Sequence, residues 1–527
     1  MAKVLIADKL SPAAEQVFKD RGIVAESRVG LTEDELVEIV AEFDGIAVRS
    51  ATKVTSRVLQ ASTKLRVVGR AGIGVDNIDV EEATARGAIV MNAPFGNSVT
   101  TAEHAIALMM SVARQIPAAD RSTRAAKWEK SRFVGVELAG KTLGLIGCGN
   151  IGSIVASRAQ GLRMRVIATD PFLSPERAEK LGIERLKLEE LLQRADFISL
   201  HTPLNDSTRN ILDAERLAAT KRGVRIINCA RGGLIDEDAL HGALVSGHVS
   251  GAALDVFRSE PPGPHPLFEC ENVIVTPHLG ASTGEAQEKV AIQIAEQMSD
   301  YLLTGAVTNA LNMPSVSAEE APRLRPYIEL ARRLGSFAGQ IVQSGLRSVT
   351  ITYAGDAAEL NNRPITAAVL EGLLSPLLAN VNAVNAPVVA RERNIEITTV
   401  ERESAEGYET LIRVTVRTER GDQTVAGTLF QGERPRVVDV QGISMEARLA
   451  PLMLYTRNAD KPGYIGSLGS ALGDRGINIA SFHLGRNEAT AIALIEVDQE
   501  VTADVLASIC ALPNVHQASV LTFPRSM

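Results

Sequence analysis

The segment LGLIGCGNIGS, Leu143 to Ser153, constrains the fold more than any other stretch. Leu143–Ile146 is an apolar strand run, and IVASRAQGL after it has helical character, so Gly147-x-Gly149-x-x-Gly152 sits where a strand turns into a helix. Gly147 allows the tight turn, Gly149 admits a pyrophosphate to the backbone, and Gly152 lets helix and strand pack. The helix N-terminus then faces the phosphates. Asp170 ends the next strand, ATD, 18 residues beyond Gly152. A carboxylate there accepts hydrogen bonds from ribose hydroxyls and repels a 2′-phosphate. With Pro171 and Phe172 following rather than an arginine, NAD is expected as the cofactor, not NADP.

The rest of the chain is organised around that unit. Residues 1–97 alternate strand runs (KVLIAD, GIVAES, GIAVRS, LRVVGRAG, AIVMNAP) with helical ones, the pattern of a parallel sheet covered by helices. A long helix, SVTTAEHAIALMMSVARQI, is expected to open on the capping box Thr100-x-x-Glu103 and cross to a second α/β unit over 98–281. In that unit Asn272–Thr276 reads as a short buried strand. The helical run STGEAQEKVAIQIAEQMSDYLL is expected to return and complete the first domain through 282–312, so the dinucleotide unit is an insertion with a cleft beside it. Met313–Pro326 is Pro-rich and reads as a linker. An α+β module over 313–449 and a strand-helix-strand-strand-helix-strand block over 450–527 follow.

Composition narrows the class of function. At 527 residues with 45% hydrophobic and 22% charged, the chain reads as a globular protein of several domains. A net charge of −8 argues against a nucleic-acid surface. No apolar run reaches the roughly 18–20 residues of a bilayer span, and MAKVLIADKL reads as a first strand rather than a signal peptide. Four scattered cysteines predict a reducing compartment, hence the cytoplasm, and no metal site.

Oxidising a hydroxyl with NAD requires a base for its proton and a cation for the adjoining anion. Three residues at carboxyl ends of strands in the second unit suit these tasks: Arg231 in INCARGGLID, Glu260 in LDVFRSEPP and His278 in VTPHLGAS. Together with the glycine fingerprint and the motifs VRSATKV and GRAGIGVDNID, they resemble the D-isomer-specific 2-hydroxyacid dehydrogenase family over about residues 1–310. The resemblance implies a Rossmann-type doubly wound α/β sheet inserted in a flavodoxin-like substrate domain. It makes His278 the acid/base, Glu260 its carboxylate partner, and Arg231 the group that binds the substrate carboxylate and polarises the C2 oxygen. Asn150, Ile151, Thr202, Cys229, Ala230, Asp255, Gly280 and Ala281 are implied at the cofactor, whereas His201 is expected to be structural and His104 a plain helix residue.

Specificity is expected from the first domain, where Arg49, Ser50, Thr52 and Lys53 follow one strand and Arg70 and Gly72 the next, with Asn97 at the hinge. Two or three cations beyond Arg231 suit a second anionic group such as a phosphate. The C-terminal block resembles an ACT domain, a βαββαβ ferredoxin-like regulatory module that binds amino acids where two copies pair. A dehydrogenase of this family with an intervening module and an ACT domain implies 3-phosphoglycerate as substrate. L-serine is then the feedback effector, held by Asn458, Asp460 and Asn478, and a homotetramer or homodimer forms through ACT and NAD-domain contacts. The competing readings are a hydroxypyruvate or glyoxylate reductase and a non-catalytic NAD-sensing scaffold.

Overall fold

The computed structural model describes residues 1–94, 96–317 and 319–524; Ala318 of the Pro-rich stretch and the last three residues of the C-terminal block lie outside them. Strands β1 (Lys3–Ile6), β2 (Val24–Ser27), β3 (Gly45–Val48), β4 (Val67–Arg70) and β5 (Ile89–Asn92) form an all-parallel sheet in the order β2-β1-β3-β4-β5. β1, β3, β4 and β5 are buried on both faces, which is why they read as continuous apolar runs. The helix Gly284–Thr304 returns to this sheet, and its Val290, Ile294 and Met298 join the core of Val4, Ile6, Val67 and Ile89. It approaches so closely that a Cβ on Gly69 would lie 2.3 Å from the Met298 sulfur.

The second sheet holds β6 (Thr142–Ile146), β7 (Arg165–Thr169), β8 (Glu184–Arg185), β9 (Phe197–Leu200), β10 (Val224–Asn228), β11 (Val249–Leu254) and β12 (Val273–Val275). Its order, β12-β11-β10-β9-β6-β7-β8, reverses at β6, so a crevice opens between the carboxyl ends of β6 and β9. Two expectations are corrected here. The strand before His278 is an edge strand rather than a buried one: Val275 is 41% exposed because, among the described residues, no strand pairs beyond β12. The long helix runs Ser98–Arg114 from Asn97, so Thr100 and Glu103 lie inside it and form no capping box. Thr100 instead faces Thr283, hydroxyl to hydroxyl at 3.4 Å.

Residues beyond 312 form two further sheets. β13 (Leu346–Gly355), β14 (Glu396–Arg402), β15 (Thr410–Thr418), β16 (Gly421–Phe430), β17 (Arg434–Val440) and β18 (Ile443–Ala447) make a six-stranded sheet. The helices Ala321–Ile341 and Asn362–Leu374 pack on it. The expected linker is therefore half helix: Pro322 sits in the first turn, and Pro326 is carried inside because eleven residues of that helix are buried. β19 (Leu452–Ala459), β20 (Ile479–Arg486), β21 (Thr490–Val497) and β22 (Val515–Thr522) form an antiparallel sheet in the order β20-β21-β19-β22, the ferredoxin-like arrangement. Among the described residues no helix is long and apolar enough to cross a membrane.

Candidate active site

The two parallel sheets turn their carboxyl ends toward each other, and their strand-end residues meet. Arg231, after β10, reaches the first domain: its Nε lies 3.2 Å from the Asp76 carboxylate, and Gly74 leaves the space its guanidinium fills. Arg49 follows β3 and Arg70 ends β4. The Arg70 guanidinium is held down to about 10, first by burial and then by the like charges of Arg231 and Arg49. Three cations thus converge on one cleft.

The expected contact between His278 and Glu260 is present. His278 Nδ1 lies 2.6 Å from Glu260 Oε2, and both side chains remain open to the cleft. Burial works to raise the Glu260 carboxyl, but the hydrogen bond and charge of His278, with the Phe257 N–H, outweigh it and hold the group below its ordinary value. His278 adopts left-handed backbone, φ +55°, a conformation that costs a non-glycine residue about 1–3 kcal/mol. Asp255 is what holds it there. Its backbone carbonyl accepts the His278 N–H at 2.9 Å, and its carboxylate accepts the N–H groups of Leu279 (2.7 Å) and Gly280 (2.8 Å). The Thr276 hydroxyl (2.5 Å) and His104 Nε2 (3.2 Å) complete the set. Burial alone would raise the Asp255 carboxyl; these donors lower it instead.

Asp255 lies at the pocket beside Glu260 and His278, with its side chain enclosed and both oxygens engaged with the turn that carries His278, so it braces that turn. His104 is more than a plain helix residue, since it contacts Asp255 and Thr276. Its position on the helix gives no sequence signal for this, because the partners are more than 150 residues away. The loops of Arg231 and Glu260 are also locked together. A Cβ on Gly232 would lie 1.9 Å from the Phe257 carbonyl oxygen, so only glycine lets the two loops touch. Glu237 then accepts the Arg258 N–H at 2.7 Å and lies 3.0 Å from His265 Nε2. Asn228 shapes the Arg231 turn, donating to the Arg231 carbonyl and accepting the Ala230 N–H.

The nucleotide cradle fits NAD. The helix Asn150–Gly161 starts from Gly149 without a side-chain cap, and the space beside the Gly149 Cα is open, while a Cβ on Gly152 would strike the Gly147 carbonyl at 2.3 Å. Asn150 is exposed and Ile151 half-buried at that N-terminus. Asp170 is oriented by the N–H groups of Cys148 and Phe172, each at 2.7 Å. Thr202 and Ala230 line the crevice edge half-buried, and Gly280 and Ala281 lie in the turn after His278. Cys229 is buried and its thiol is pushed up by that burial. Asn97, 8% exposed, has a buried Oδ1 that takes no hydrogen bond among the described residues and can accept one from a ligand. His201 is structural as expected: burial lowers it to about 4, and Ser199 Oγ lies 2.8 Å from its Nε2.

In the first domain Ser50 and Lys53 are exposed near Arg49, and Gly72 leaves room for the Arg70 guanidinium. Thr52 is buried, and its hydroxyl bonds Asp8 Oδ1 at 2.7 Å, so its side chain supports the loop. The effector residues are not together either. Asn458 and Asp460 lie at the β19 end beside Arg486, whereas Asn478 precedes β20 and bonds Asp498 at 2.6 Å at the opposite end of the sheet. One small ligand can touch all three only if a second copy of the chain supplies one of them.

Comparison with known proteins agrees with this geometry. Residues 106–280 match the family described as D-isomer specific 2-hydroxyacid dehydrogenase, NAD binding domain. Residues 323–441 match the D-3-phosphoglycerate dehydrogenase intervening domain, and 453–514 the ACT domain. A D-3-phosphoglycerate dehydrogenase of Synechocystis sp. is 42% identical over 98% of this chain and 94% of its own length. One of Methanocaldococcus jannaschii is 42% identical over 99% of this chain and all of its own. Among solved structures, the TT0316 protein from Thermus thermophilus is 35% identical with a TM-score of 0.55, covering 59% of this chain and 99% of that one. A glyoxylate reductase from Paecilomyes thermophila is 30% identical with a TM-score of 0.55, covering 59% and 98%.

Proposed function

The chain belongs to the D-3-phosphoglycerate dehydrogenase family, and on that premise we propose that it oxidises 3-phospho-D-glycerate to 3-phosphooxypyruvate with NAD, the first step of phosphorylated L-serine synthesis. The observation that carries the reading is the His278–Glu260 pair at 2.6 Å in a cleft that gathers Arg231, Arg70 and Arg49. NAD, when bound, supplies the acceptor for the hydride from C2. Glu260 occupies His278 Nδ1, so Nε2 is the nitrogen that takes the hydroxyl proton, and the carboxylate balances the charge the ring gains. Arg231 binds the substrate carboxylate by displacing Asp76, an exposed acid whose release into water is cheap. Arg49 and Arg70 then receive the phosphate, which a monocarboxylate substrate would leave unused. Asp170 takes the ribose hydroxyls.

The test is NADH formation from 3-phosphoglycerate by the wild type and by His278→Ala. Turnover in the wild type and its loss in the variant, with NADH still bound, is the expected result. Wild-type-like turnover in the variant removes the assignment. L-serine is the effector this reading implies. The separation of Asn478 from Asn458 and Asp460 argues that the effector site forms between ACT domains of two subunits. Insensitivity of turnover to serine, with no amino acid bound, removes that part.

A further inference from the structure

We propose that Asn77 is a positioning residue that sets selectivity for the phosphorylated substrate, by fixing Arg70 and the Arg49–Thr52 turn as one anion-binding surface. The proposal rests on the substrate reading above and deepens it. Asn77 lies in the GVDNID stretch, whose part in the chemistry is not otherwise assigned. Its side-chain Oδ1 accepts the Arg70 Nε–H at 3.0 Å. Its Nδ2 donates to the carbonyls of Arg49 (2.9 Å) and Thr52 (2.6 Å). Only one amide orientation satisfies this set, because the reverse would face NH2 with a guanidinium N–H and oxygen with two carbonyls. The backbone joins in: the Val54 N–H donates to the Asn77 carbonyl at 2.8 Å.

From the other side, Asp8, 3% exposed, accepts the N–H groups of Arg49 (2.6 Å) and Thr52 (3.0 Å) and the Thr52 hydroxyl. The turn is therefore clamped between Asp8 and Asn77. Fixing Arg70 through Nε leaves its two terminal nitrogens for a ligand, and the Cβ-less Gly72 makes room for them. Arg49, Arg70 and Arg231 gather at this cleft, where Asp76 pairs with Arg231 and Asp8 is engaged with the turn, so the two carboxylates only partly offset the three cations. A ligand with two anionic ends, one of them a dianionic phosphate, is what relieves that arrangement. Without Asn77 the Arg70 side chain and the turn lose their common anchor, and the phosphate end loses its two cations in register.

The test uses the full-length protein in the reductive direction with NADH, comparing 3-phosphooxypyruvate with hydroxypyruvate, which differ only in the phosphate. For Asn77→Ala, KM for the phosphorylated substrate should rise about 10- to 100-fold. KM for hydroxypyruvate, kcat and NADH affinity should each stay within about two-fold, a split that general loss of structure does not produce. Asn77→Asp keeps an acceptor for Arg70 but turns an oxygen toward both carbonyls of the turn and adds a negative charge beside the phosphate end, so it should show a rise of the same kind and at least as large. It also provides the readout if Asn77→Ala does not fold. An equal rise for both substrates, or none, overturns the proposal alone. A wild type that shows no preference for the phosphorylated substrate overturns the substrate reading and the proposal with it.

Discussion

At the scale of single residues, the site depends on which proton acceptors stay charged. Glu260 is held below its ordinary carboxylate value chiefly by His278, so its negative charge is present throughout neutral pH and is lost only as pH falls through that lowered value. Glu260→Gln keeps a hydrogen-bond acceptor but removes the charge. We expect kcat to fall on the order of 10²-fold with KM for NAD little changed, read from steady-state kinetics. His201 gives a stability prediction. Its folded value of about 4 lies below the unfolded value near 6.5. The unfolded chain therefore binds more protons between those limits, and stability is full above about pH 6.5 and declines as pH falls toward 4. The loss is at most about 3 kcal/mol. Denaturant unfolding at pH 7 and pH 5 should show a flatter dependence for His201→Gln than for the wild type.

At the scale of elements, the catalytic loop is fixed by a brace the sequence does not announce. Glu237 opens the helix Glu237–Val245 and offers one oxygen to the Arg258 N–H and the other to His265. His265 Nδ1 accepts the Leu267 N–H, so Nε2 carries the proton and donates. A carboxylate can accept from both donors, whereas an amide can accept from only one. Glu237→Gln should therefore loosen the loop that aims Glu260, lowering kcat about 10-fold while NADH affinity holds. Unchanged kcat in that variant would reduce the brace to a packing contact. The β12 edge and the helix start at Ser98 show why elements are harder to delimit than to detect. Apolar run and capping pattern are local, but exposure of Val275 and the position of Thr100 are set by what lies alongside.

At the scale of the whole molecule, the third and fourth sheets share one core. Phe337 of the intervening domain stacks edge-on against Tyr455 of the ACT sheet at 5.9 Å, within a cluster that also holds Met453, Ile492 and Leu521. Arg333, 5% exposed, bonds Glu329 and the carbonyls of Leu449 and Pro524, tying helix, connector and C-terminus together. Arg333→Met removes the donor and leaves the buried Leu449 carbonyl without it, at a cost of roughly 1–3 kcal/mol. Its thermal transition should fall, read by calorimetry against the wild type. The opposite side of the intervening domain reaches the substrate domain, where Asn385 Nδ2 donates to the Ala85 carbonyl at 2.9 Å. The intervening domain thus contacts both the ACT sheet and the first domain.

The sheets and the NAD cradle were legible in the order of residues alone, because glycine spacing and strand ends are local and each carries its reason in adjacent residues. Arg231, Glu260 and His278 were pointed to by their strand-end places and by family resemblance, and the structure brings His278 and Glu260 together. Three things were settled only when distant segments met. The Asp255 carboxylate and the Thr52 hydroxyl found hydrogen-bond partners inside the protein. His104, Glu237, Asp8 and Asn77 acquired their roles through bonds to residues tens to hundreds of positions away. Asn458 and Asp460 fell to the opposite end of the sheet from Asn478, because the helix Tyr464–Gly473 carries the chain back and β20 then starts at the far end, running in the same direction as β19. Hydrogen-bond satisfaction in the interior is a property of the assembled molecule, and it chose among side chains that the sequence left equivalent.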